Sequence, residues 1–422
     1  HDALPIRSEE RRVGKECNPA TGSMLFSIIV GIFLAAAFFV RMLFVKIKFL
    51  VSGGRGVKND KKNRIPYLIY SDDKRYANVF VPILNEFEKR GTDVTFWTSS
   101  VDDPILAMDY RHVHAEYIGK GNKGIVKLNS AAAGVFLATT PGLDVLQWKR
   151  SRNVDCYVHV LHAADTCAGY RMFGLDFYDA VLVSGSVHVD EIRLLEQKRN
   201  LAPKDVRVVG LTYFDTVYER LAGTVRPDNT KPVILLAPSW GPSGLLHRYG
   251  SRIIDSLVAT GYRIVFRPHP QSYTADKEII DELRRKYPES DDFEWNSDND
   301  NFDVLNRADL LVTDFSGIIF DFTLLFGKPV MYTSPDFDNG VYDAAWIEEP
   351  LWKFKVLPSI GCEIDEKDFE DMKARIDSVI EGGDYREGIQ KAGELAWQNR
   401  GHAAESIVQY MIDAGQRKTT KG

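Results

Sequence analysis

The sequence predicts an α/β fold of two facing parallel-sheet domains with a cleft between them, and three features carry that prediction. Apolar runs of strand length alternate with helical stretches from residue 65 onward, the order that builds parallel sheets. A connector containing Gly, Pro and Asn, residues 222–231, divides this stretch into two halves of similar size, and domains part at such segments. Polar residues compatible with phosphate stand at the ends of several apolar runs, and open α/β sheets bind ligands at the carboxyl edge of their strands.

With 422 residues the chain can hold two domains with complete cores. A net charge of −6 argues against a general nucleic-acid binder, which needs a basic surface. Cys17, Cys156, Cys167 and Cys362 show no CxxC spacing, which points to a reducing compartment and away from structural zinc. Acidic clusters such as Glu370 and Asp371 read as solvated helix faces, so neither a metal nor a cofactor is expected.

Residues 1–23 are polar and aperiodic and stop abruptly before Met24; they read as a non-native or disordered extension, with Met24 as the start. Residues 25–40 are uncharged, rich in Phe, Ile and Ala, and the apolar run resumes after Arg41. That length spans a bilayer, so a transmembrane helix is expected over 24–46. Lys46, Lys48, Arg55, Lys58, Lys61, Lys62 and Arg64 follow it. The positive-inside rule then gives a single-pass plasma-membrane protein with its catalytic domains in the cytoplasm, and 47–64 becomes a basic linker near anionic lipid. A cleaved signal on an exported enzyme is the alternative.

The first half, 65–221, opens with a strand at 65–70, an amphipathic helix at 77–90 closed by Gly91, and a strand at 94–97, a βαβ start. No GxGxxG follows the first strand, so the dinucleotide fingerprint is absent there. Further strands are read at 135–139, 157–161, 178–184 and 206–210, with helices near 189–199 and 213–221. His162 stands at the carboxyl end of the 157–161 run, which favours a functional role. His159, within that run, reads as packed, and Cys167 has no neighbour in sequence that would activate its thiol.

The second half, 232–388, starts with a strand at 232–237 that ends on Pro238-Ser239-Trp240-Gly241. Ser239 fits either a phosphate contact or the cap of a helix expected over 245–260. The strand at 262–266 runs into Arg267-Pro268-His269-Pro270, where the prolines fix the direction of His269. A charged helix at 276–287, a strand at 293–295 and a helix near 303 lead to the most informative stretch. There a strand at 310–312 passes through Thr313, Asp314, Phe315, Ser316 and Gly317 into a helix at 318–326, and a further strand starts at Val330. Ser316 suits an N-cap, and backbone N–H groups at a helix start suit a diphosphate. The last segment, 389–422, is helical, and 392–414 is expected to pack back across both domains.

Two strings taken together carry a resemblance. Arg267-Pro268-His269-Pro270, with Thr313-Asp314-Phe315-Ser316-Gly317-Ile318-Ile319-Phe320-Asp321-Phe322 and the following Gly327-Lys328-Pro329-Val330-Met331-Tyr332, resembles the CDP-glycerol glycerophosphotransferase family of teichoic-acid primases and polymerases. The resemblance covers roughly 150–335. Its Trp-His-Gly motif is met by Leu161-His162-Ala163, where the histidine matches and its neighbours differ. Gly210-Leu211-Thr212-Tyr213-Phe214-Asp215 resembles another of its turns but lacks the Pro and Arg. The resemblance implies a GT-B fold and transfer of glycerol phosphate, or a similar polyol phosphate, from CDP-glycerol to a lipid-linked or glycan acceptor. It implies His162 and His269 as catalytic residues, and Arg267, Ser239, Thr313, Asp314, Ser316 and Gly317 as donor-binding residues. Two other readings stay open: a GT-B glycosyltransferase or epimerase acting on a nucleotide sugar, and an inactive membrane-tethered nucleotide-binding module.

Overall fold

The structure, a computed structural model, describes residues 64–298, 300–333 and 339–419, together with the helical positions Ala36, Val40, Met42, Leu43 and Ile47. The anchor expected over 24–46 otherwise lies outside the described residues. Among the described residues no helix is long and apolar enough to cross a membrane. The chain divides into two units, 1–54 and 55–422, and the description below concerns the second.

This unit contains two wholly parallel sheets. The first has β1 (Ile65–Ser71), β2 (Val94–Thr98), β3 (Val113–Tyr117), β4 (Ala133–Ala138), β5 (Val154–Val160), β6 (Ala180–Val183) and β7 (Asp205–Val208), in the order β3-β2-β1-β4-β5-β6-β7. The second has β8 (Val233–Leu236), β9 (Arg263–Phe266), β10 (Phe293–Trp295), β11 (Leu310–Thr313), β12 (Val330–Thr333) and β13 (Gly361–Ile364), in the order β10-β9-β8-β11-β12-β13. Central strands such as β6, β8, β11 and β12 are buried at every position, as continuous apolar runs covered on both faces must be. The strand order reverses between β1 and β4 in one sheet, where Leu68 pairs with Phe136. It reverses between β8 and β11 in the other, where Leu235 pairs with Leu311. These two switch points are where such sheets open a crevice.

The structure differs from the sequence expectation at the sheet edges and at two helix breaks. Strands β3 and β13 lie at the sheet edges and mix buried with exposed positions, so they lack the apolar run that marks the inner strands. The helix expected over 245–260 is two helices, Leu245–Tyr249 and Arg252–Val258, parted at Gly250 with φ 57°, a left-handed conformation that glycine adopts without cost. The C-terminal crossing also breaks. Helix Arg386–Ala396 packs on helix Ser186–Lys198, and helix Ala403–Thr419 packs on helix Ala77–Lys89 and on β1, β4 and β5. Asn399 and Gly401 take positive φ between them. Where this crossing meets the first sheet the backbones touch. Ser184 Oγ donates to the Ala396 carbonyl at 2.8 Å, and a Cβ on Gly185 would stand 2.1 Å from the Leu395 carbonyl oxygen.

A second tie joins the halves on the other side. Arg199, 6% exposed, lies between Asp176 at 2.8 Å and Asp343 at 2.6 Å, which are 8% and 1% exposed. Asp343 also accepts from the amides of Phe173 and Gly174. Replacing Arg199 with Met would leave two buried carboxylates without their cation. A destabilisation of about 3–5 kcal/mol is expected, measurable as a lower urea midpoint for unit 55–422 within the full chain.

Candidate active site

The carboxyl edge of the first sheet presents His162, two residues past β5. Its Nδ1 lies 2.9 Å from Thr139 Oγ1 at the end of β4, and its ring sits 4.8 Å from Tyr76 and 6.3 Å from Tyr170. The ring keeps partial solvent contact although protein surrounds it. That desolvation, helped by Arg75 and opposed by Asp165, pushes its pKa down to about 4. His162 is therefore neutral at neutral pH. In the tautomer that donates Nδ1–H to Thr139 Oγ1, Nε2 carries a free lone pair, the state a proton acceptor needs. His159, as expected, is packed in the strand, its Nε2 3.2 Å from the Tyr170 hydroxyl. Burial pushes the Cys167 thiol well up, which leaves no nucleophile there.

The second switch point is built around Asp314. Its carboxylate is 2% exposed and accepts from the amides of Ser239 at 3.1 and 3.0 Å, Leu245 at 2.9 Å and Phe315 at 2.7 Å. Asp314, and not Ser239, thus satisfies the start of helix Leu245–Tyr249. This corrects the expectation that Asp314 faces the donor, because its oxygens are already filled by backbone donors. Thr313 is likewise corrected: it is fully buried, and its hydroxyl donates to the Ala237 carbonyl at 2.5 Å. Ser239 is 8% exposed. Ser316 and Gly317 are part-exposed at the cleft, but Ser316 does not cap the helix. The cap position is Gly317, with no side-chain cap bond, so the Ser316 hydroxyl is left for another partner.

One strand away, β9 delivers Arg267 and His269. Arg267 donates to Asn296 Oδ1, to Asn301 Oδ1 and, at 2.7 Å, to the Asp298 carbonyl. It braces the loop after β10, which differs from the direct donor contact expected of it. His269 Nδ1 accepts from the Gln271 amide at 3.1 Å, so a neutral ring carries its hydrogen on Nε2. Burial and Arg75 hold its pKa below the usual histidine range. Trp240, 47% exposed, lies beside it with ring centres 6.4 Å apart.

The two edges meet. Arg75, just after β1, is within electrostatic reach of both His162 and His269. Nearby, Asp165 Oδ2 lies 3.3 Å from where a Gly317 Cβ would stand. It also pairs with Lys353 Nζ at 3.1 Å. Burial and Asp165 raise Asp321 to about 7, and burial and Asp321 raise the Tyr213 hydroxyl. Arg75, Asp165, Tyr213, Asp321 and Lys353 escaped the sequence reading. Only Asp165 and Asp321 offered a signal, as acidic residues a few positions beyond His162 and Ser316.

Glu191, 7% exposed, supports the loop that carries Asp165. It accepts from Thr166 Oγ1 at 2.7 Å and the Cys167 amide at 2.8 Å, and burial pushes its pKa up to about 7 from 4.5. The native chain thus holds this proton more tightly than the unfolded chain, and its penalty grows as pH rises from about 4.5 through about 7. His162 acts in the opposite sense: the unfolded chain binds its proton first, so stability is lost as pH falls from about 6.5 to about 4. Glu191→Gln is expected to remove the first slope and His162→Gln the second, read from melting temperature against pH.

A model of the CDP-glycerol:poly(glycerophosphate) glycerophosphotransferase family matches residues 212–345. The minor teichoic acid biosynthesis protein GgaB of Bacillus subtilis strain 168 is 31% identical over 111 residues, 25% of this chain and 11% of GgaB. The chain therefore spans about a tenth of that curated relative. Among solved structures, wall teichoic acid polymerase TagF treated with CDPG is similar with a TM-score of 0.56 at 14% identity, over 91% of this chain and 99% of that one. The UDP-GlcNAc 2-epimerase of Methanocaldococcus jannaschii, solved with UDP-GlcNAc and UDP, gives 0.55 at 12%, over 83% and 100%. At these identities the structural likeness establishes a fold of two parallel-sheet α/β domains like that of GT-B proteins.

Proposed function

We propose, from the match of residues 212–345 to the CDP-glycerol:poly(glycerophosphate) glycerophosphotransferase family, that the chain transfers glycerol phosphate, or a related polyol phosphate, from a CDP-activated donor to an acceptor hydroxyl in teichoic-acid synthesis. The observation that carries this reading is that Arg75 lies within electrostatic reach of both His162, beside the first switch point, and His269, one strand from the second. In this mechanism the donor diphosphate lies against Ser316 and Gly317. His162 Nε2 takes the proton of the attacking hydroxyl as its oxygen bonds to the distal phosphorus. The bond from that phosphorus to the CMP oxygen breaks, and Arg75 with His269 Nε2–H offsets the charge that develops on CMP. Phosphoryl transfer asks chiefly for positioning and charge stabilisation, and the cleft offers both. Arg267 and Asp314 act by holding the loops.

The proposal includes a lipid-linked acceptor, with the apolar run at 25–40 keeping the cleft of a cytoplasmic enzyme at the membrane. The support for it is the sequence itself. The nucleotide-sugar reading rests only on the shared fold, whereas the glycerophosphotransferase reading also has a family match.

His162→Gln is expected to lower CMP release in the presence of acceptor by about 10²–10⁴-fold, the usual contribution of a positioned proton acceptor, while CDP binding stays within about two-fold. Near-normal turnover in a folded variant would remove His162 from this role.

A further inference from the structure

Lys353 is an unusual cation for this molecule. Its side chain is 10% exposed, yet among the described residues the only acceptor its ammonium hydrogen-bonds is Asp165 Oδ2, at 3.1 Å. An ammonium has three donors; Nζ also lies 5.4 Å from the centre of the Phe354 ring, and among the described residues one carboxylate oxygen is its hydrogen-bonded partner in a nearly closed place. The contrast with Arg199 is instructive. That guanidinium is held by two carboxylates, one of which also receives two backbone amides, the double pairing expected of a permanent buried clasp. The Lys353 pair lacks it.

Its location is equally specific. Lys353 sits on helix Trp352–Ile360, and Trp352 stacks on Phe320 with ring centres 5.3 Å apart. Lys353 is thereby fixed beside the segment that begins at Ser316 and Gly317. Asp165 comes from the opposite sheet, and its Oδ2 points to Gly317. There it also lies near Asp321, whose pKa it raises. The Asp165 side chain, 25% exposed, thus lies between the Lys353 ammonium and Gly317, while its Oδ1 accepts from the Thr166 amide at 2.7 Å.

We propose that Lys353 is a ligand for the donor diphosphate that Asp165 occupies in the empty enzyme, and that a phosphate oxygen replaces Asp165 Oδ2 on Lys353 when a nucleoside diphosphate binds. The inference rests on the functional reading above in placing a diphosphate at Ser316 and Gly317, but not on the identity of the base. The exchange keeps the buried ammonium paired in both states. It also moves Asp165 away from Asp321 and frees the loop that carries His162 to meet the acceptor.

The test uses the full-length chain and titrates CDP, UDP and inorganic diphosphate into the wild type, Lys353→Met, Lys353→Arg and Asp165→Asn. Lys353→Met should weaken binding of the preferred nucleoside diphosphate by about ten-fold or more, the scale of a charged hydrogen bond. Lys353→Arg should recover part of it. Asp165→Asn removes the competing anion and should tighten binding by about three-fold or more. A merely structural pair is broken equally by either change. Losses of equal size in Lys353→Met and Asp165→Asn, or no change in either, would therefore overturn the proposal. Should the wild type prefer UDP to CDP, the donor assignment fails while the opposite signs still read the exchange with UDP. Should it bind no diphosphate at all, both fall. Unchanged melting temperatures would exclude misfolding as the cause of weaker binding.

Discussion

The Asp314 carboxylate is the constraint on which the second domain's site depends. Two oxygens at the end of β11 receive amides from the end of β8, from the start of helix Leu245–Tyr249 and from Phe315. Backbone N–H groups at a strand–loop junction must find acceptors once buried, and one side chain supplies them for three segments. The turn that carries Ser316 and Gly317 is thereby locked to the turn that carries Ser239 and Trp240. Without Asp314 those donors would be buried unpaired, at about 1–3 kcal/mol each. The edge proposed to hold the diphosphate is thus braced by the backbone itself, and positioned groups of this kind are what phosphoryl transfer requires.

The first domain is arranged differently. Its switch point exposes groups whose charge states are set by crowding: His162 is held neutral, Glu191 is pushed to about 7, and Asp165 is paired across the cleft. Two ties join the halves, the backbone crossing at Ser184 and Gly185 and the Arg199 clasp. Between them the cleft is lined by chemistry from both sheets, and Arg75 is the group that senses both histidines.

Much of this was legible in the residues. Inner strands such as β8 and β11 announce themselves because burial on both faces demands an unbroken apolar run. His162, His269 and Ser316 were legible because each ends such a run. The edge strands β3 and β13 were not, since half-exposed strands carry polar residues. The division of the 245–260 helix turned on the conformation of Gly250, which composition does not reveal. Within the site, Thr313 and Asp314 sit in a motif whose polar character suggested ligand contact, yet a polar side chain at a strand end serves the backbone equally well. Arg75 and Lys353 could not be read at all. Their position at the cleft comes from tertiary packing alone, through the turn after β1 and the stacking of Trp352 on Phe320.

The central claim is that this cleft takes a cytidine-activated polyol phosphate. Calorimetric titration of the full-length chain with CDP-glycerol and with UDP-GlcNAc tests it most directly. Saturable binding of CDP-glycerol, competed by CDP and without matching binding of UDP-GlcNAc, is the predicted result. Tight binding of UDP-GlcNAc with none of CDP-glycerol would contradict it and move the same fold to nucleotide-sugar chemistry.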